Sequence, residues 1–283
     1  MIAPPPLPDL VLDPIVRLAL SEDLGRAGDL TTDATIEPGT MIDAKIAARK
    51  PGRLAGMDAA AYALKLVDPG VTLDQVMQDG DALSPGDTIA TLSGAARSIL
   101  IAERTMLNFL GRLSGIATLT ATFVEKVAHT DATIVCTRKT TPGHRAVEKR
   151  AVRCGGGTSH RYGLDDAILI KDNHIAACGS VTEALKRAHA YAGHLRMIEI
   201  EVDTLKQLEE ALPLKPHAVL LDNMDNDTLR RAVAMIDGAC KAEASGGVNL
   251  DTVAAIAETG VDYISVGALT HSASNLDVGL DLP

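Results

Sequence analysis

The spacing of apolar positions changes character twice along the chain. Between Asp9 and Asp23, Leu10, Ile15, Leu18 and Ala19 fall near helical spacing and predict a short amphipathic helix, with Pro14 keeping its start close by. From Met41 to Gly94 the pattern shortens to strand-like runs, MIDAKIAAR, TLDQVM and DTIATL. Turn chemistry at Pro51-Gly52, Asp79-Gly80 and Pro85-Gly86 separates them. The first third therefore reads as a small α+β domain. Residues 95–128 carry the longest helical pattern, which Ser114-Gly115 is predicted to break in two, placing a domain boundary near residue 115.

Beyond that boundary, short β-branched runs alternate with helical stretches: TIVC (133–136), AILI (167–170), MIEIE (197–201), AVLL (218–221), CKAEA (240–244) and YISV (263–266). Alternation at this spacing predicts βα units in an incomplete (β/α) barrel of six strands, unless one or two further strands lie hidden in the glycine-rich stretch around Gly155. The fold class is thus α/β: an N-terminal α+β domain over residues 1–115 and an α/β barrel catalytic domain over residues 116–270.

Composition narrows the function. Hydrophobic residues make up 46% of the 283 residues but aromatics only 2%, with no Trp. Such a core is filled by aliphatic side chains, as in the layered interior of a parallel barrel, and offers no stacking platform for single strands. A formal charge of −10 repels nucleic acid and anionic membrane, so any anion site is local. Cys136, Cys154, Cys178 and Cys240 show no CxxC or zinc spacing, and the start, MIAPPPLPDL, has neither a basic lead nor an apolar run. Both features point to a cytoplasmic protein.

The open face of such a barrel collects the C-terminal ends of its strands. There the chain places Thr137-Arg138-Lys139, Lys171, Glu201, Asp222, Ser245-Gly246-Gly247 and, closing the last run, Val266-Gly267-Ala268. Between Arg138 and Lys171 stand eight Lys or Arg against three acids, a local excess of five positive charges in an acidic chain. Lys149 and Arg150, within RAVEKRAVR, read as the wet face of a helix. Arg138, Arg161 and Lys171 are the better anion ligands, because a guanidinium fork pairs two carboxylate or phosphate oxygens while a lysine acts as a point charge. His160, beside Arg161, is placed to donate to the same anion. Ser245-Gly246-Gly247 precedes the helical pattern NLDTVAAIAE, where converging N–H groups suit a phosphate, and Gly267-Ala268 matches the late-strand phosphate site of barrels. Glu201 and Asp222 form a carboxylate pair on the rim opposite the cations, suited to sugar hydroxyls or to Mg²⁺ through water. Together these residues describe a site for a phosphorylated sugar beside a small acid.

The stretch CTRKTTPGHRAVEKRAVRCGGGTSHRYGLDDAILIKDNHI (136–175) closely resembles the quinolinate phosphoribosyltransferases, the carboxylating nicotinate-nucleotide pyrophosphorylases. EDLGRAGDLTT, RKPGRLAGM, AERTMLNFLGRLSGIAT, EIEVD, LLDNM, EASGGVNL and ISVGALTHS follow the family's order. The resemblance implies transfer of the 5-phosphoribosyl group from phosphoribosyl pyrophosphate to quinolinate with decarboxylation, giving nicotinate mononucleotide, pyrophosphate and CO₂ in de novo NAD biosynthesis, with Mg²⁺ as cofactor. It also implies that Arg138, His160, Arg161 and Lys171 hold quinolinate's carboxylates, with Lys139 near the pyrophosphate or a substrate carboxylate. Glu201 and Asp222 face the ribose and Mg²⁺, and Ser245, Gly246, Gly247, Val266, Gly267 and Ala268 surround the 5-phosphate. Arg104 resembles an arginine given to the neighbouring subunit's pocket in a homodimer, a higher oligomer being open, and the tail 271–283 joins the N-terminal domain. Cys136, His144 and Ser159 depart from the usual pattern, where Asp, Leu and Asn are common. Two other readings are a Schiff-base aldolase using Lys171 and a non-catalytic binder of small anions.

Overall fold

The computed structural model describes residues 4–283; residues 1–3 of the Pro-rich lead lie outside the described residues. Along the described chain the strands are β1 (Met41–Ala48), β2 (Gly52–Arg53), β3 (Thr72–Gln75), β4 (Ala82–Leu83), β5 (Thr88–Ala95), β6 (Thr133–Val135), β7 (Ile168–Ile170), β8 (Ile198–Val202), β9 (Ala218–Asp222), β10 (Lys241–Ser245), β11 (Tyr263–Ser265) and β12 (Val278–Asp281). Two compact units result. One holds the chain up to Ala121 with Thr140–Gly156 and Leu269–Pro283; the other holds Thr122–Lys139 and Gly157–Ala268. The segment 140–156, which the sequence places within the barrel, packs with the first unit.

In the first unit an antiparallel sheet runs in the order β12-β1-β5-β3. The C-terminal tail supplies β12, which pairs with β1 from Lys45↔Asp281 to Ala48↔Val278. The predicted first helix forms as Asp9–Leu24, with Pro14 inside its second turn rather than near its start. The predicted break at Ser114-Gly115 does not occur: one helix runs unbroken over Ala96–Val127. Its small residues serve packing instead. Ser114 is buried, its Oγ accepting from Ala55 N at 3.0 Å and donating to Ala55 O at 3.1 Å. At Gly115 an added Cβ would run into the Ser274 carbonyl, so this glycine admits the returning tail.

The helix Arg145–Cys154 also corrects the expectation of a wet face, because Glu148, Lys149 and Arg150 are all buried. A buried charge must be compensated, and Arg150 and Glu148 show how. Arg150 is ion-paired with Asp79 and with Asp58, at 3.3 Å, and donates to the Pro5 carbonyl at 3.0 Å. Glu148 accepts from Arg112 at 2.9 Å and from Thr141 N at 3.0 Å. Amphipathic spacing in a basic segment revealed a helix but not which of its faces met a carboxylate.

The second unit is the predicted parallel α/β sheet, and its six strands coincide with the six runs read from the sequence. Their order is β6-β11-β10-β9-β8-β7. From β7 to β11 each new strand pairs with the one before it, and β11 then pairs with β6, the winding of a barrel rather than of a doubly wound sheet, whose order reverses at a switch point. The glycine-rich stretch adds one residue of pairing on the free side of β6: Thr158 bridges Val135 in parallel, with Thr158 N donating to Ile134 O at 2.8 Å. The strands fill their faces with aliphatic side chains such as Ile200, Val202, Val219, Leu221 and Ile264, each fully buried. The intervening helices cover them, among them Val181–Tyr191, Leu205–Ala211 and Asn226–Ile236. No helix among the described residues is long and apolar enough to cross a membrane.

Replacing glycine by alanine inside a helix ordinarily stabilises by about 1 kcal/mol. For Gly115→Ala the opposite sign is expected, a loss of about 1–3 kcal/mol from overpacking against the tail. Thermal unfolding checks it, and an unchanged or raised Tm would show that the tail does not rest on this glycine.

Candidate functional site

Six adjacent strand ends in the second unit deliver the candidate residues. After β6, Thr137 Oγ1 accepts from Lys139 N at 3.0 Å, a tight turn that leaves Arg138 half-buried and Lys139 exposed. After β7, Lys171 N donates to His174 Nδ1 at 2.9 Å, fixing the lysine at the head of the short helix Asp172–Cys178. Glu201 lies within β8 and is buried, Asp222 ends β9 half-buried, and Ser245 ends β10. Because β6 pairs with β11 from Thr133↔Tyr263 to Val135↔Ser265, the loop carrying Arg138 and Lys139 emerges beside Val266-Gly267-Ala268. Val266 itself is buried, with its N–H spent on Val135 O at 2.9 Å; Gly267 and Ala268 are half-buried.

The cations and acids are closer than the sequence suggests. Lys171 Nζ is directly ion-paired with Glu201 Oε2, so Glu201 does not sit on a rim opposite the cations. The local excess of positive charge also divides. Arg145, Lys149, Arg150 and Arg153 belong to the first unit, leaving Arg138, Lys139, Arg161 and Lys171 in the second. Burial and the charge of Arg138 push the Arg161 guanidinium below its ordinary value. Two guanidinium groups held near one another in partly dry surroundings repel, and an anion between them relieves both costs.

His160 stands on a base the sequence reading missed. Its Nδ1 accepts from Arg161 N at 2.8 Å, leaving the proton of the neutral ring on Nε2, which faces Glu199 Oε2 at 3.0 Å and Glu243 Oε1 at 3.6 Å. In this arrangement the ring orients Arg161 and donates inward, whereas the sequence had it donating to the bound anion. His160, Glu199 and Glu243 bring three ligand-type atoms within 4.8 Å of one another. Glu199 Oε1 and Glu243 Oε1 are buried without a hydrogen-bond partner. Burial and the neighbouring Glu199 raise the Glu243 carboxyl to about 7, with His160 opposing the rise. Burial and a second carboxylate nearby both favour the protonated form of Glu243. A signal was present: Glu199 and Glu243 lie in mid-strand between apolar neighbours, Ile198 and Ile200 or Ala242 and Ala244, a place where acids are rare without a task.

The glycines divide by role. Gly246 (φ 90°) and Gly247 (φ 62°) both take left-handed backbone. An added Cβ at Gly246 would meet Asn223, with its Cγ at 2.6 Å, whereas Gly247 has open space around it. The expected helix start is displaced: the helix is only Val253–Ala257, six residues past Gly247. Asn249 holds the chain in a turn first, its Oδ1 accepting from Asp251 N at 2.9 Å and Thr252 N at 3.1 Å. Arg104 belongs to the other unit, exposed on the helix Ala96–Val127.

The chain matches two family models, the quinolinate phosphoribosyl transferase N-terminal domain over residues 29–114 and its C-terminal domain over residues 116–281. It is 47% identical over 272 residues to a carboxylating nicotinate-nucleotide pyrophosphorylase of Mycobacterium leprae, covering 94% of this chain and 95% of the relative. It is 44% identical to a probable enzyme of the same name from Bacillus subtilis, covering 92% and 90% of the two chains. The solved nicotinate-nucleotide pyrophosphorylase of Francisella tularensis superimposes with a TM-score of 0.94 at 36% identity, over 98% of each chain.

Glu243 provides a check on the buried cluster. A carboxyl raised from 4.5 to about 7 on folding contributes stability that is intact below its unfolded value and is lost as pH rises through about 7. Glu243→Gln mimics the protonated acid, so its Tm should gain on that of the unsubstituted protein as pH goes from 5 to 8. A difference that does not vary with pH would mean that Glu243 is ionised throughout.

Proposed function

Because the chain belongs to the quinolinate phosphoribosyltransferase family, it makes nicotinate mononucleotide for NAD biosynthesis by decarboxylating phosphoribosyl transfer, and we propose that the strand-end cluster of the second unit carries out that reaction. Substrates are quinolinate and phosphoribosyl pyrophosphate. The observation that carries the assignment is that adjacent parallel strand ends bring Arg138, Lys139 and Lys171 onto one sheet with Glu201, Asp222 and two glycine-bearing turns.

In this reading Arg138, Arg161 and Lys171 hold the two carboxylates of quinolinate. His160 fixes the Arg161 backbone and completes the pocket from below, and Lys139, exposed on its turn, meets the pyrophosphate. Ser245, Gly246, Gly247, Gly267 and Ala268 surround the 5-phosphate, with Val266 contributing backbone only. As the bond from C1 of the ribose to pyrophosphate breaks, positive charge grows at C1. Glu201 and Asp222 stabilise it electrostatically, an effect worth most where water is excluded. The quinolinate nitrogen then forms the new bond and becomes cationic. The carboxylate beside it leaves as CO₂, its bonding electrons held next to the cationic nitrogen until a proton takes its place.

Oxygen donors on Glu201 and Asp222 suit Mg²⁺, a hard cation usually held through water. Asp222 is the better placed, since Lys171 already neutralises Glu201. When bound with phosphoribosyl pyrophosphate, Mg²⁺ supplies charge neutralisation for the departing pyrophosphate. That same ion pair engages Lys171 Nζ as a donor and so does not favour a Schiff-base reading.

The exposed position of Arg104 on its helix suits donation to a neighbouring copy's pocket in a homodimer or larger assembly. The four separate thiols suit a reducing cytoplasm.

Purified protein given quinolinate, phosphoribosyl pyrophosphate and Mg²⁺ should form nicotinate mononucleotide, with nicotinic acid in place of quinolinate giving none. Lys139→Ala and Arg161→Ala should each lower kcat/KM by about 10²-fold or more, since each removes a charged contact to a substrate anion. Full activity in Arg161→Ala would remove the guanidinium pair from the site.

A further inference from the structure

Asn223 follows Asp222 directly and is neither an acid, a cation nor a glycine, so nothing in the strand-end pattern marks it. Its geometry does. It is one of three non-glycine residues among those described with positive φ, at 53°. In that conformation its N–H donates to Ser245 O at 3.0 Å, tying the end of β9 to the end of β10 one step past the last ladder pair, Asp222↔Ser245. Its side-chain Nδ2 donates to Asp222 Oδ2 at 2.5 Å. The same side chain lies against Gly246, where any Cβ would collide with Asn223 Oδ1 and approach its Cγ at 2.6 Å and its N at 2.9 Å.

These contacts explain the residue types on both sides. Asn is among the few residues that tolerate left-handed backbone, because its short amide bonds locally. A carboxylate at position 223 would face Asp222 with like charge, and a longer side chain would not fit against the Gly246 backbone. Gly246, already at a φ of 90°, thus also has no room for a side chain beside Asn223, while Gly247, with open space around it, is the one left to approach a ligand.

We propose that Asn223 is a positioning residue for phosphoribosyl pyrophosphate. Its amide occupies one oxygen of Asp222 and so turns the other toward the ribose hydroxyls and Mg²⁺. Its packing against Gly246, together with its bond to Ser245, sets the distance from that acid to the loop that receives the 5-phosphate. This rests on the placement of the sugar phosphate given above and adds a determinant specific to one of the two substrates.

Three variants separate the contributions. Asn223→Gly keeps the left-handed backbone and its N–H bond to Ser245 but deletes the amide, Asn223→Asp keeps the shape and sets a carboxylate beside Asp222, and Asp222→Asn tests the acid itself. Steady-state kinetics in both substrates would be combined with calorimetric titration of phosphoribosyl pyrophosphate and Mg²⁺ in the absence of quinolinate. For Asn223→Gly we expect an unchanged Tm, an unchanged KM for quinolinate, weaker binding of phosphoribosyl pyrophosphate, and a fall of about 10–100-fold in kcat/KM for it, the usual scale for a residue that orients a ligand. Asn223→Asp should be weaker still. If Asn223→Gly binds and turns over phosphoribosyl pyrophosphate normally while Asp222→Asn does not, the positioning role is wrong and the site assignment stands. Equal damage to both substrates in Asn223→Gly would also overturn the proposal, as general disorder of the loop. If Asp222→Asn itself leaves phosphoribosyl pyrophosphate kinetics intact, the underlying placement fails first.

Discussion

The parallel pairing of β6 with β11 is the constraint on which the second unit depends. The two strands are more than a hundred residues apart in the chain, yet Val135 and Ser265 lie opposite one another in the ladder. That pairing places the turn bearing Arg138 and Lys139 beside Gly267 and Ala268. It also returns the sheet to its first strand after β7 to β11 have been laid down in order. Aliphatic burial along short strands supplies the driving force, and the pairing register decides which strand ends become neighbours. A shift of one residue would turn the strand-end side chains to the other face of the sheet.

On that platform the chemistry is arranged in two tiers. At the strand ends stand cations and acids that neutralise one another in part, as Lys171 does Glu201, or repel, as Arg138 does Arg161. Beneath them, Glu199 and Glu243 flank His160 from β8 and β10, across the intervening β9. Charges in the upper tier are available to substrate at a modest cost in desolvation. The lower tier is more enclosed, and burial raises the Glu243 carboxyl to about 7, so near neutrality it carries less negative charge than two exposed carboxylates would.

Much of this was legible in the sequence, for physical reasons that also mark where legibility ended. The six parallel strands could be read because short apolar runs recur between helical stretches at even spacing, and residues at their ends were conspicuous because strand ends in such sheets share a face. Tertiary demands escaped the reading. Ser114 and Gly115 carry a composition that breaks helices, but they sit inside one because the tail needs a flat surface to lie on. Lys149 and Arg150 look solvated by residue type; the carboxylates that compensate Arg150, Asp58 and Asp79, come from distant parts of the chain. The ion pair between Lys171 and Glu201 likewise depends on the side-chain reach across β7 and β8. Asn223 was invisible because its significance lies in a backbone angle.

In the proposed reaction, transfer to the ring nitrogen makes decarboxylation possible, so the two events occur at one site and in one order. Quinolinate carrying ¹³C in the carboxylate beside the nitrogen tests this directly by NMR. The label is expected to appear as CO₂ and bicarbonate in step with nicotinate mononucleotide, and only when phosphoribosyl pyrophosphate is present. Labelled CO₂ released without phosphoribosyl pyrophosphate, or a nucleotide product that retains the label, would contradict it.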